Sequence, residues 1–278
     1  MEQEGVKLAI LDMNNGHPNQ GMRCIRDIVS EYEGQLTWDE FDVRAKGEVP
    51  DLSYDIFICS GGPGSPLDGD GDWDVKFYDL LDSAWNHNLQ NGGSKKYFFF
   101  ICHSFQMACK YFELGEILPR KSTSFGVYPV HKSAAGRKDP ILEGLADPYY
   151  AVDSRDWQLI QPNQRVFKEH GAVILSREKI RTHIELERAI MAIRFSEEFV
   201  GTQFHPEADP VGMKEHFGKK ENRDKVIKNY SKRKYTNMMT HLEDPDKIAL
   251  THSTIIPHFI DTSLEKLKAL NPVLSSHD

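Results

Sequence analysis

The chain has 278 residues, 39% of them hydrophobic and 27% charged, with a formal net charge of −8 at pH 7. That length is enough to bury the core of one large α/β domain, or of one domain with an appendage. An acidic balance argues against a nucleic-acid scaffold, because neutralising phosphates takes a basic surface.

The N-terminal stretch 1–16 lacks a basic segment followed by an apolar one, and its apolar run 6–11 is too short for a signal-peptide core or a bilayer span. A cytoplasmic location is therefore expected, with neither nucleic acid nor membrane as a partner. Residues 6–11 read as a buried first strand and 19–32 as the helix that follows; 36–43 reads as a second strand. A third strand, 54–59, is stopped by 60–66, a loop that holds three glycines and two prolines and cannot stay regular. Helical spacing of Trp73, Phe77, Leu80, Leu81 and Trp85 predicts a helix over 73–89. Residues 96–101 form a strand and 104–114 a helix whose inner side carries Phe105, Ala108, Cys109 and Phe112. Strands alternating with helices in this way predict a mostly parallel sheet covered on both faces.

From Phe125 onward the pattern changes to short strands, 127–131, 149–153, 172–176, 189–195 and 199–205, with few helices between them. Some of these are expected to pair antiparallel at one side of the sheet. After Glu207 the chain becomes polar and helical: 213–240 is dense in Lys, Arg, Asn and Glu, with an apolar stripe through Phe217, Val226, Ile227 and Tyr230, and 261–270 is another helix. This tail either packs along the domain or serves as an interaction surface. The expected division is a main domain over 1–210 and a helical C-terminal extension over 211–278.

The four cysteines, Cys24, Cys59, Cys102 and Cys109, show no CxxC pair and no zinc-type spacing, so free thiols are expected, with no metal and no other cofactor. Cys102 stands out by its neighbours. The apolar strand Phe98-Phe99-Phe100-Ile101 runs straight into an amphipathic helix with Cys102 at the junction. A thiol on such a turn sits above the sheet edge beside the first helical N–H groups, which favour the thiolate and can stabilise an oxyanion. In Gly201-Thr202-Gln203-Phe204-His205-Pro206-Glu207, Pro206 biases His205 towards an extended conformation. Residues two apart then point to one face, so His205 and Glu207 can converge on a site where the carboxylate orients the imidazole and the imidazole activates a thiol.

Together the glycine-rich loop 60–66, the 101–106 junction and the 203–207 segment resemble the class I (triad-type) glutamine amidotransferases, whose pattern has a Gly-Gly-Pro-Gly type loop, a Gly-Ile-Cys-x-Gly-x-Gln elbow and a Gln-Phe-His-Pro-Glu close, in that order. The resemblance covers about residues 6–210 and implies a flavodoxin-like α/β fold. It implies that Cys102 attacks the glutamine amide carbon to form a γ-glutamyl thioester and release ammonia, with His205 as general base and acid and Glu207 as its orienter. It further implies an oxyanion hole from the N–H groups of Gly62 and His103, and contact of Gln106 with the bound glutamine. The loop expected at 153–157, with Ser154, Arg155, Asp156 and Trp157, falls where the family holds the α-carboxylate and α-amino groups, chiefly through backbone. Partners implied are glutamine or a γ-glutamyl compound and a separate synthetase subunit that uses the ammonia.

This sequence departs from the pattern at Phe100 and Ser104, where the family has glycine, so the packing behind the elbow must differ; Arg155 stands near a family histidine. The His103 side chain is expected to face solvent or a partner. The alternatives are a stand-alone γ-glutamyl peptide or amide hydrolase with the same triad, a homoserine acyltransferase on a related fold, and a non-catalytic binding or regulatory module.

Overall fold

In an extended chain alternate side chains face opposite sides, and here that rule divides the core in two. The computed structural model describes residues 5–17, 19–90, 93–180 and 187–270; the first four and last eight residues, part of the N-terminal stretch and the C-terminal tail considered above, lie outside them. Strands β1 (Val6–Asp12), β2 (Leu36–Asp42), β3 (Ile56–Cys59) and β4 (Tyr97–Ile101) alternate with helices α1 (Gln20–Ser30), α2 (Val43–Lys46), α3 (Trp73–Gln90) and α4 (His103–Tyr111). Leu8, Ile10, Ile56, Ile58, Phe99 and Ile101 enter one apolar cluster with α1, while Ala9, Leu11, Phe57, Cys59, Phe98 and Phe100 enter another with α3 and α4. Burying each of these Leu, Ile and Phe side chains contributes roughly 1.5–3 kcal/mol, so the central strands hold both layers at once.

The remaining strands are β5 (Glu116–Lys132), β6 (Tyr149–Ile160), β7 (Val173–Glu178), β8 (Ile190–Arg194) and β9 (Phe199–Thr202), with α5 (Gln164–His170) between β6 and β7. Among the described residues they complete a nine-stranded sheet in the order β2-β1-β3-β4-β9-β8-β7-β5-β6. Pairing is parallel from β2 to β9 and antiparallel from β9 to β6, as the change of pattern after Phe125 predicts. Four elements differ from the sequence expectation. β5 and β6 are far longer than the short strands expected at 127–131 and 149–153, because one face of this hairpin is solvated and its polar residues hide the alternation; the segment 153–157 is strand, not loop. α2 and α5 are too short to show a helical period, although α5 carries both an Asn163 N-cap and a Gly171 C-cap at φ 69°.

Past the sheet, α6 (Pro210–Gly218), α7 (Lys220–Asn229), α8 (Lys232–Glu243), α9 (Leu250–His252) and α10 (Ile255–Leu270) pack along the molecule. Phe217, Val226, Met238 and Leu242 close over Val127 and Val152 in a third cluster. Helix α10 puts Ile255, Ile256, Phe259, Ile260 and Leu264 into the first cluster, with the Phe259 ring 5.2 Å from that of Phe99.

Phe100 is accommodated by the neighbouring strand. Register places it beside Gly201 of β9, where a Cβ would lie 2.9 Å from Phe100 Cβ, Phe100 O and Phe105 Cδ2. The Phe100 ring then fills the space among Phe98, Phe195 and Phe199. The glycine absent from the elbow is thus compensated by a glycine opposite it. Gly201→Ala should destabilise the protein by about 1–3 kcal/mol, the usual cost of overpacking, measured by urea unfolding; unchanged stability would contradict this packing.

Candidate active site

The carboxyl ends of β1, β3, β4 and β9 lie together along one sheet edge, where open α/β sheets bind ligands. There β4 ends at Ile101 and α4 begins at His103, leaving Cys102 alone to make the turn at φ 50°, ψ −95°. Its N–H donates to Thr202 O of β9 at 2.8 Å, and its carbonyl accepts from Gln106 N at 3.0 Å. Ser104 fits the second glycine position by bonding: its hydroxyl donates to Cys59 O at 2.8 Å and accepts from Ile101 N at 2.9 Å, tying the ends of β3 and β4 to the first turn of α4.

His205 follows β9, and its N–H donates to Val152 O at 2.8 Å, which holds it against β6. Its Nδ1 lies 2.8 Å from Glu207 Oε1, and its imidazole sits beside Cys102 across Gly61. Burial works to lower the His205 pKa, but the charges of Glu207 and Cys102 and their hydrogen bonds raise it well above the ordinary 6.5. Glu207 is itself buried, and its Oε2 has no hydrogen-bond partner among the described residues. Its remaining oxygen is committed to the imidazole.

The glycine-rich loop packs against this group. A Cβ on Gly61 would lie 2.9 Å from His205 Cε1 and 3.5 Å from Cys102 Cβ, and one on Gly62 would lie 2.4 Å from Met13 O, so neither position has room for a side chain. Arg44 of α2 pins the loop, donating to Pro63 O at 2.6 Å while its guanidinium lies over the Trp73 ring at 4.8 Å.

Cys102, His205, Glu207, Gly62, His103, Gln106, Ser154, Arg155, Asp156 and Trp157 all line one cleft of about 530 Å³. Their side chains are disposed differently. His103 is 1% exposed, so it does not face solvent or a partner; its Nε2 has no hydrogen-bond partner among the described residues, and burial, helped by Arg44, lowers its pKa to about 4, which leaves the ring neutral at pH 7. The Gln106 amide donates to Gln203 Oε1 at 2.9 Å. Arg155 is turned into the protein, paired with Asp153 at 2.9 Å and Glu178 at 3.3 Å. From the same strand, Ser154 presents its carbonyl to Cys102 Sγ at 3.8 Å.

Three contacts escape the sequence reading. Gln203 Nε2 donates to Cys102 Sγ at 3.8 Å; the two-residue alternation that joins His205 to Glu207 would have placed Gln203 on that face as well. From α9, His252 Nδ1 donates to Glu207 O at 2.9 Å, and its neighbour Thr251 bonds Tyr150 O of β6. No motif marks those two residues. Cys24 also lines the cleft, but burial pushes its thiol up to about 12 and holds those of Cys59 and Cys109 well above the usual range. Among the described residues no group of His, Cys, Asp and Glu is arranged to hold a metal ion, and no helix is long and apolar enough to cross a membrane.

The family model described as glutamine amidotransferase class-I matches residues 22–225. A comparison with curated proteins finds no match. Among solved structures, the chain is similar to a glutamine amidotransferase from Thermotoga maritima, at 16% identity and a TM-score of 0.68, over 94% of this chain and 99% of that one. It is similar also to a glutamine amidotransferase from Methylobacillus flagellatus, at 15% identity and a TM-score of 0.63, over 95% and 94%. The glutaminase domain of Trypanosoma brucei CTPS, solved with bound acivicin, matches at 12% identity and a TM-score of 0.52, over 73% and 86%.

A raised His205 pKa means that the stability tied to its charge is full below pH 6.5 and is lost as the pH rises through the elevated value. Glu207→Gln removes the largest raising influence and leaves burial to act, so the His205 Cε1–H resonance should titrate at lower pH in the variant than in the wild type. Equal midpoints would contradict the assignment of Glu207 as the partner that holds the imidazolium.

Proposed function

Because the chain belongs to the class I glutamine amidotransferase family, we propose that Cys102, His205 and Glu207 hydrolyse the γ-glutamyl side-chain amide through a thioester, with glutamine as the parent substrate. The observation that carries this reading is one imidazole that is hydrogen-bonded to a buried carboxylate and packs, across Gly61, beside the cysteine of a strand-to-helix elbow.

The Cys102 sulfur attacks the amide carbon while His205 holds the thiol proton. Charge that develops on the carbonyl oxygen is met by the N–H groups of Gly62 and His103, the latter at the positive end of α4. His205 passes its proton to the departing nitrogen, and the carbon–nitrogen bond breaks. The imidazole then takes a proton from water, which cleaves the thioester to glutamate and restores the thiol. Glu207 keeps the imidazole in one orientation and stabilises its charged form. The backbone of Ser154, Arg155, Asp156 and Trp157 holds the α-amino and α-carboxylate groups, and Gln106 braces Gln203 beneath the thiol while contacting the substrate. From glutamine the nitrogen leaves as ammonia, in the form that a separate synthetase subunit would consume.

Cys102→Ala should lower glutamate release by at least about 10³-fold, as loss of a nucleophile does in other enzymes, without lowering the melting temperature. A glutamine-analogue electrophile should label Cys102 ahead of Cys24, Cys59 and Cys109. Retained turnover in the variant, or labelling of another cysteine first, would overturn the proposal.

A further inference from the structure

The cleft that holds the triad is also lined by the chain that follows it. Helix α6 starts at Pro210, just beyond Glu207, and Met213 and Phe217, one turn apart, line the cleft with His216 between them. Phe217 meets Phe125 of β5 edge-on, with ring centroids 5.4 Å apart, and Phe125 stacks on Tyr230 at 5.4 Å with the rings 12° from parallel. Phe217 is buried among Val127, Val152, Val226 and Met238, so this apolar wall is anchored in its own cluster.

The same segment carries charge. Residues 210–234 hold nine Lys and Arg against three Asp and Glu, in a chain whose formal net charge is −8. Lys219 ends α6, two residues past the cleft-lining Phe217, so the helix that walls the cleft finishes on positive charge. Lys225 is paired with Glu221 at 2.8 Å, and Lys219 is exposed.

Free glutamine offers this wall nothing to bind, since its amide nitrogen carries only hydrogens and the molecule has no net charge. We propose that the preferred substrate is a γ-glutamyl peptide whose second residue is apolar or aromatic, with Met213 and Phe217 packing that side chain and Lys219 attracting its carboxylate. The proposal rests on the thioester reading above. Placement follows from the chemistry: His205 gives its proton to the departing nitrogen, so the amine leaves on the imidazole side, and α6 grows out of the segment that holds that imidazole. The sulfur–carbon bond forms, the carbon–nitrogen bond breaks, and the nitrogen takes the proton from His205 and departs as a free amino acid. Water then cleaves the thioester to glutamate and returns the thiol.

The test uses the full chain with four substrates: glutamine, γ-glutamylglycine, γ-glutamylphenylalanine and γ-glutamylphenethylamide. kcat/KM for γ-glutamylphenylalanine should exceed that for both glutamine and γ-glutamylglycine by at least about tenfold, the scale of apolar pocket discrimination. The phenethylamide, which lacks the carboxylate, should fall about threefold or more below γ-glutamylphenylalanine at low salt, with the gap narrowing as salt rises and closing in Lys219→Glu. Phe217→Ala should lower the ratio of γ-glutamylphenylalanine to glutamine turnover by about fivefold or more, and Met213→Ala, at a less buried position, should lower it too if the first variant fails to fold. Glutamine cleaved as fast as γ-glutamylphenylalanine, or a ratio unchanged in Met213→Ala, would overturn the subsite while leaving the thioester reading standing. Turnover of none of the four would overturn both.

Discussion

At the end of β4 the backbone must leave the sheet and enter α4 within one residue, and it does so by holding Cys102 at φ 50°. For a residue with a side chain this conformation costs on the order of 1–3 kcal/mol. The surroundings over-determine it. Thr202 fixes the Cys102 N–H, Ser104 ties Cys59 and Ile101 to the first turn of the helix, and Gly201 makes room for Phe100 behind the turn. Each hydrogen bond contributes about 1 kcal/mol net, enough in sum to keep the strained turn in place. The consequence is a thiol at the sheet edge, beside the first N–H groups of α4 and next to an imidazole from the chain that follows β9.

That imidazole is positioned by three separate stretches of chain. Val152 of β6 receives the His205 N–H, Glu207 holds its Nδ1, and α9 reaches both neighbours, with Thr251 on Tyr150 and His252 on the Glu207 carbonyl. The residues of α9 lie beyond the 22–225 segment matched by the family. The C-terminal helices are therefore integral to the site: α6 walls the cleft, α9 clamps the carboxylate segment, and α10 completes the core beneath Phe99.

The parallel half of the sheet and the Cys102, His205 and Glu207 segments were legible because each follows a strong local rule, two-sided apolar strands in the one case and extended-chain alternation in the other. The hairpin of β5 and β6 was less so, since half its residues face water and its pairing is set by partners 30 or more residues away at its open end. His103 was misplaced because its burial depends on Trp73 and Arg44, which the topology brings to it from α3 and α2. No local rule shows that strand pairing turns the Arg155 side chain inward to Asp153 and Glu178, leaving only its backbone towards the cleft, as expected there. The clamp from α9 could not be read locally at all, because it joins residues 45 and 101 positions apart.

The central claim is that a γ-glutamyl group passes through the sulfur of Cys102. Acid-quenched turnover of substrate isotopically labelled in the glutamyl carbons, followed by peptide mass spectrometry, tests it directly. The account predicts label on the peptide that contains Cys102, in a linkage released as glutamate by mild base. Steady turnover with no label at Cys102, or label on a peptide that carries Cys24, Cys59 or Cys109 instead, would contradict it.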